Sequence, residues 1–440
     1  MNRNVLALLL RPAPGQNSVL ALPIVAFGIV TTLVLTVVGG AQSFWGWTDG
    51  NAPLYQALAA IALVLLIVPL MSLGGAAARL SARRRDERLS TLRLLGVSPA
   101  GVTVATVTES VLVAGVGALA GVLGHVALSP LIGLIPFRGE PLGFSAVVLP
   151  PLPIAAVLGA VLLLAATSAV IGLRRVVISP LGVRTRTEVS PVHWIRAVFA
   201  AGAIAIAFVV IKVFPSVGGL LLTIVVLATL FGAALGVLNL VGPWVLSVSA
   251  SRQLRRAERP ERLLAARIVL DSPKAAWRQV GGIAMASFMA VFAGTGVALL
   301  SMMSTSDAAA ADIALADDIR TGLIITLIGS FLMVAASVGV NQASDVLDQR
   351  ELHRSLHRLG MPMETVDSAR RRAIMSPLLI TAVGSALVAA VLVFPLVGIA
   401  LVTAPVSILT ITAVVAVGIG VVWASTWATR PLLQRAFQPA

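Results

Sequence analysis

Residues 55–100 read YQALAAIALVLLIVPLMSLGGAAARLSARRRDERLSTLRLLGVSPA. The first half, 55–78, carries no charge and is long enough to cross a hydrocarbon core, which takes about 20 helical residues. The second half turns abruptly basic, then closes on Leu95-Gly96 and Ser98-Pro99. An apolar span running into a short charged loop and then into another span is the repeating unit of the chain.

Working outward, ten predominantly apolar segments appear, at 18–40, 55–78, 103–128, 150–173, 194–213, 217–249, 279–302, 321–343, 374–398 and 405–429. The sixth is long, and Gly242-Pro243 offers a place for it to break. Composition agrees: 58% of the 440 residues are hydrophobic and 11% charged, with mean hydropathy +0.99, against about 25% charged in ordinary soluble domains. Backbone polar groups inside a bilayer are satisfied only by helices or a closed barrel. Continuous apolar runs without period-2 alternation favour helices. The expected fold class is therefore an all-α polytopic membrane protein with ten transmembrane helices and short extracytoplasmic loops.

All of the 32 lysines and arginines except Arg138, Lys212 and Arg320 fall in alternate connections. Basic residues near span ends stay cytoplasmic, so the chain is expected in the plasma membrane, multi-pass, with both termini in the cytoplasm. The net charge of +14 does not point to nucleic acid: the basic residues flank spans, where anionic headgroups account for them, and aromatic stacking platforms are missing from the basic loops. There is no cysteine, which removes disulfides and thiolate chemistry. Met1–Ser18 is polar and contains prolines, and the run after it is long enough to span, so the first span is expected to remain in the mature protein.

Two four-span blocks, 1–187 and 260–440, flank a two-span insert with a basic linker, 188–259. Their inner loops match when Gly96 is set against Gly360: Glu87 then meets Glu351, Leu92 meets Leu356, Leu95 meets Leu359 and Val102 meets Val366. Duplicated halves are a common transporter plan. In Arg83–Gly96, Glu87, Thr91 and Leu94 share one helical stripe, and Leu89, Leu92 and Leu95 another, as in a short amphipathic helix. Gly96 suits a left-handed residue ending that helix, and Pro99 suits the first position of the next. Such a helix is either an interfacial anchor or a lever on which a soluble motor pushes. Its occurrence at matching places in two blocks favours the lever.

The loop Arg83–Pro99 resembles the cytoplasmic signature of FtsX-like permeases: basic residues, a Glu, spaced leucines and Leu-Gly before the next span. The tract Leu173-Arg174-Arg175-Val176-Val177-Ile178-Ser179-Pro180-Leu181 is similar to that family's close of a four-span block. Glu109, followed by Gly115, Gly117 and Gly121, resembles the Glu-plus-glycines of its next span. The second block departs from the pattern: His353 and His357 stand in its loop, Ala373 near the position matching Glu109, and the tail Arg430–Arg435 lacks Ser-Pro. The resemblance implies a non-catalytic permease subunit of an ABC transporter, partnered by two copies of a separate ATPase that binds ATP and Mg; this chain itself would hold no cofactor. It further implies ATPase-coupling roles for Arg85, Glu87, Arg88, Leu92, Leu95 and Gly96 in one lever, and for Arg350, Glu351, Leu356, Leu359 and Gly360 in the other. The ten-span, two-block form is similar to permeases of antimicrobial-peptide-sensing systems, which usually carry a large extracytoplasmic domain late in the chain, where this sequence has only 303–320. The expected cargo of efflux or extraction is an amphiphile: a peptide, lipid or hydrophobic drug. A signal relay to a cell-wall hydrolase or sensor kinase is the alternative, and short outer loops favour transport over it.

No Gly-x-x-x-x-Gly-Lys-Ser/Thr loop is present in this sequence, so no phosphate-binding P-loop is expected here. Away from the basic inner ends of the spans, ionisable residues within them are few: Glu109, His125 and Lys212. Glu109 is placed to pair with Arg88 or Arg93 of the lever, whereas His125 and Lys212 read as interface residues near outer ends. Gly117-x-x-x-Gly121 and Gly232-x-x-x-Gly236 predict close helix approach. Trp45 and Trp47, in the outer loop 41–54, read as interface anchors, and Asp307, Asp312, Asp317 and Asp318 as a solvated acidic loop without calcium-loop spacing. His353 and His357 lack a third ligand, and no catalytic or metal site is expected.

Overall fold

Proline punctuates this chain at helix starts: Pro99, Pro151, Pro260, Pro273 and Pro405 are each the first residue of a helix. At that position the missing N–H has no intrahelical partner to lose, and the fixed φ is already helical. The computed structural model describes residues 17–83, 99–178, 220–303, 310–348, 355, 358–427 and 430. Seven of its helices are long and apolar enough to cross a membrane, or eight when the bent helix at 52–78 is included. The protein is an all-α polytopic membrane protein. The expected fifth span and the start of the sixth lie outside the described residues.

The described residues group into two units, each with its own packing. The first contains α1 (Asn17–Gln42), a 3₁₀ turn (Ser43–Gly46), α2 (Ala52–Arg83), α3 (Pro99–Gly133), a two-stranded turn (β1, Pro136–Phe137; β2, Glu140–Pro141), the one-turn α4 (Phe144–Val147) and α5 (Pro151–Ile178). It also takes in the last turns of α9, Ala335–Asp348. α2 bends by 40° between Ile67 and Pro69, where the proline removes a ladder hydrogen bond. Beyond the bend, the Ser72 and Ser337 hydroxyls hydrogen-bond at 3.1 Å, joining α2 to α9.

The close approach in this unit is between α1 and α3. A Cβ on Gly117 would stand 2.6 Å from the Ile24 carbonyl, and one on Gly121 2.8 Å from the Gly28 carbonyl. Thr32 Oγ1 donates to the Gly121 carbonyl at 3.1 Å. The Gly117-x-x-x-Gly121 expectation therefore holds. Gly236 does not behave likewise, because a Cβ there would meet nothing within 4 Å.

The second unit contains α6 (Leu220–Arg255), α7 (Pro260–Asp271), α8 (Pro273–Met303), the earlier part of α9 (Ala310–Asp348), α10 (Met363–Leu392), α11 (Phe394–Thr403) and α12 (Pro405–Trp427). α6 continues through Gly242-Pro243 rather than breaking there. Gly242 instead leaves room for the Trp277 indole of α8, whose Nε1–H donates to Asn239 Oδ1 at 2.7 Å. A large aromatic is thus buried with its one polar atom satisfied. Phe288 and Phe292 of α8 stack beside Ala234, Ala389 and Leu392, and Gly418 of α12 accepts the Phe331 ring of α9. Much of the expected acidic loop 303–320 is helical, since α9 begins at Ala310; Asp318 is buried and Arg320 donates to Thr410 Oγ1 at 3.1 Å. Helices outrun the apolar windows because the intrahelical ladder persists past the hydrocarbon edge. Outward positions such as Leu152, 81% exposed, are apolar, as a lipid-facing surface requires.

Candidate functional site

Arg85, Glu87, Arg88, Leu92, Leu95 and Gly96 of the first expected lever, and Arg350, Glu351 and Leu356 of the second, lie outside the described residues, as do His353, His357 and Lys212. The end of the second lever is described. The Leu359 N–H donates to the Ser355 carbonyl at 3.1 Å, a helical turn. Gly360 then takes φ +84°, a left-handed conformation that costs glycine little. Pro362 precedes α10, which starts at Met363. Leu359 is 83% exposed, an apolar side chain presented outward just before the glycine.

Glu109 is half-buried on α3, next to the buried Ser110; Arg88 and Arg93, its expected partners, are not among the described residues. In the second unit Ala373 is buried and apolar, and the buried carboxylate comes earlier. Asp367, 3% exposed, accepts from Arg370 at 3.2 Å through Oδ1 and from Arg371 at 2.8 Å through Oδ2. The Arg371 guanidinium lies 4.0 Å from the Trp427 ring centre and that of Arg430 5.7 Å from it. The first turns of α10 are thereby tied to the end of α12. Sequence reading missed Asp367 because it precedes the apolar run; the available signal was its spacing, with arginines three and four residues on, which share a helical face.

His125 is not an interface residue. It is fully buried between α1 and α3, with Nδ1 3.4 Å from Thr36 Oγ1 and the ring edge against Gly39. Trp47, expected as an anchor, also has a cation partner. Its ring lies under the Arg138 guanidinium at 3.8 Å, with Tyr55 on the same cation at 4.5 Å and Asp49 paired to it at 3.0 Å. Phe44 packs edge-on against both Trp47 and Phe137. Burial disfavours the Arg138 charge, but hydrogen bonds to Tyr55 and Asp49 outweigh it and hold the pKa above its ordinary value. Arg138 and Gly139 both have positive φ, the requirement of a two-residue hairpin turn. The cluster therefore fixes this turn on the start of α2. Trp45, 51% exposed, keeps the open position expected of an anchor.

These sites carry positioning chemistry: a buried carboxylate paired with two arginines, aromatic–cation stacks and a left-handed glycine just before α10. No grouping of three His, Asp or Glu side chains placed to hold a metal occurs among the described residues. A search of curated proteins returns no match. Residues 58–181, from α2 across the first lever and Glu109 to Ser179-Pro180, match the family model described as FtsX-like permease C-terminal. Over that segment the chain is similar to FtsX-like permeases, a family of membrane subunits that typically work with an ABC ATPase.

Proposed function

We propose that this chain couples ATP hydrolysis by a separate ATPase dimer to the export or extraction of an amphiphilic substrate, a peptide, lipid or hydrophobic drug. In this reading ten spans form two four-span repeats, 1–187 and 260–440, around the insert 188–259. Both termini and both levers are cytoplasmic, and one ATPase copy docks on each lever. ATP and Mg belong to the partner. Motor closure pushes on residues 85–96 and 350–360, and the spans carry that displacement to the opposite face of the membrane.

The observation that carries the reading is the family match across residues 58–181, which contains the first lever. The left-handed Gly360 at the end of the second supports a matching device there. Co-purification with the ATPase encoded beside this chain tests it. Glu87→Arg and Glu351→Arg are expected to reduce assembly and stimulation of ATP hydrolysis; intact assembly and stimulation in both would overturn the lever assignment. The second reading, a relay acting on a cell-wall hydrolase or sensor kinase, is tested by ATP-dependent substrate movement in proteoliposomes containing only the pair, which would exclude it.

A further inference from the structure

We infer that α7, Pro260–Asp271, docks on the headgroup region of an anionic lipid leaflet. The helix is apolar on two sides. Ala265, Ala266 and Val269 are buried, where α7 packs on α10 and α6. The opposite side carries Leu263 and Ile268, 45% and 53% exposed, with the exposed Arg267 between them. Residues four apart on a helix stand side by side, so Leu263 and Arg267 form one stripe and Leu264 and Ile268 the next. Small residues let α7 lie close to its protein neighbours, and that contact uses its inner side. Two large aliphatic side chains are left facing away from the protein, where an apolar medium stabilises them.

The choice of a lipid surface follows from the surroundings. Ser272 alone separates α7 from α8, whose apolar span begins at Pro273, so α7 ends where a membrane-crossing segment starts. From Arg255 to Lys274 the chain has six basic residues against three acidic ones, Glu258, Glu261 and Asp271. Arg259, Arg262, Arg267 and Lys274 are exposed. Basic residues beside a bilayer are drawn to anionic headgroups, and their aliphatic stems lie along apolar surface while the charged ends reach the phosphates. A protein partner fits less well. The buried centre of a protein interface is depleted of charge, whereas Arg267 stands in the middle of this patch. The inference does not depend on the transport reading, since it needs only that α8 crosses a membrane.

The test uses the full chain in nanodiscs of phosphatidylcholine and phosphatidylglycerol. The chain has no cysteine, so Leu263→Cys and Ile268→Cys each place a single environment-sensitive fluorophore on the outward face. Both labels are expected to emit at shorter wavelength than in water, to be quenched by lipid carrying a spin label near its headgroup, and to be poorly quenched by aqueous iodide. Spin-labelled phosphatidylglycerol is expected to quench the label at 268 more strongly than spin-labelled phosphatidylcholine. Arg267→Gln is expected to lower that preference about fivefold, the contribution of one basic residue near an anionic surface, without a change in melting temperature. Labels quenched by iodide and not by lipid would overturn the docking. Equal quenching by the two lipids, or an undiminished preference in Arg267→Gln, would overturn its dependence on anionic headgroups. Protection from iodide that requires an added ATPase would assign the face to a protein partner and overturn the lipid assignment.

Discussion

Ser72 of α2 and Ser337 of α9 share a hydrogen bond of 3.1 Å. Those two helices are the ones that run into the proposed levers. Their mutual contact lies within one unit, so the Ser72 stretch of α2 and the Ser337 stretch of α9 pack as one body.

This contact can be trapped. The chain has no cysteine of its own, so Ser72→Cys/Ser337→Cys gives a clean background. The double variant is expected to form an intramolecular disulfide under mild oxidation, because hydroxyls in contact place the Cβ atoms within reach of a bridge. A mobility shift reversed by reductant checks it; two thiols that stay freely alkylated would refute the packing of α2 on α9.

Gly121→Val is expected to destabilise the first unit by about 1–3 kcal/mol or more, since its side chain would collide with Thr31 and the Gly28 carbonyl. Gly236→Ala is expected to be neutral or to stabilise by up to about 1 kcal/mol, because the position is open. Thermal unfolding in detergent distinguishes them, and equal losses would mean that α1–α3 contact is not what the glycine serves.

Asp367→Asn strips the shared carboxylate from two half-buried arginines. Removing one partner of a buried ion pair costs about 3–5 kcal/mol, and the proximity of water at the helix start puts the effect toward the lower end. A midpoint shift in denaturant reports it. A variant as stable as wild type would show the arginines to be solvated rather than paired.

Arg138 contributes in two opposed ways. Its stacks on Trp47 and Tyr55 give about 0.5–1 kcal/mol each, the half-exposed Asp49 pair little, while its positive φ costs about 1–2 kcal/mol in any residue but glycine. Arg138→Ala loses the stacks and keeps the strained backbone, whereas Arg138→Gly loses the stacks and relieves it. The alanine variant is therefore expected to unfold at the lower temperature, and the reverse order would mean that the turn is not held as described.

Much of this architecture was legible because the bilayer leaves few options. An uncharged run such as 55–78 can only be a span, and Gly117 and Gly121, one turn apart, announce a seam. Hydropathy is blind, however, to what lies at and beyond the hydrocarbon edge. Asp367 sits before its apolar run, so its burial depends on Arg370, Arg371 and Trp427 meeting across two helices. Trp47 and Trp45 look alike in sequence, yet only Trp47 finds a cation, because Arg138 returns to it from a turn far along the chain. His125 was misjudged because its depth depends on how closely α1 approaches α3, which Thr36 and Gly39 decide and composition does not. Asn239, Gly242 and Trp277 form a socket that no single segment reveals.

With glycine at 117, 121 and 124, α3 meets α1 backbone to backbone, and Thr31 and Thr32 indent its surface like keys in slots. Sliding one rod along the other would lift the threonines over neighbouring residues and part the whole joint, so the two must advance, tilt or retreat as a single beam.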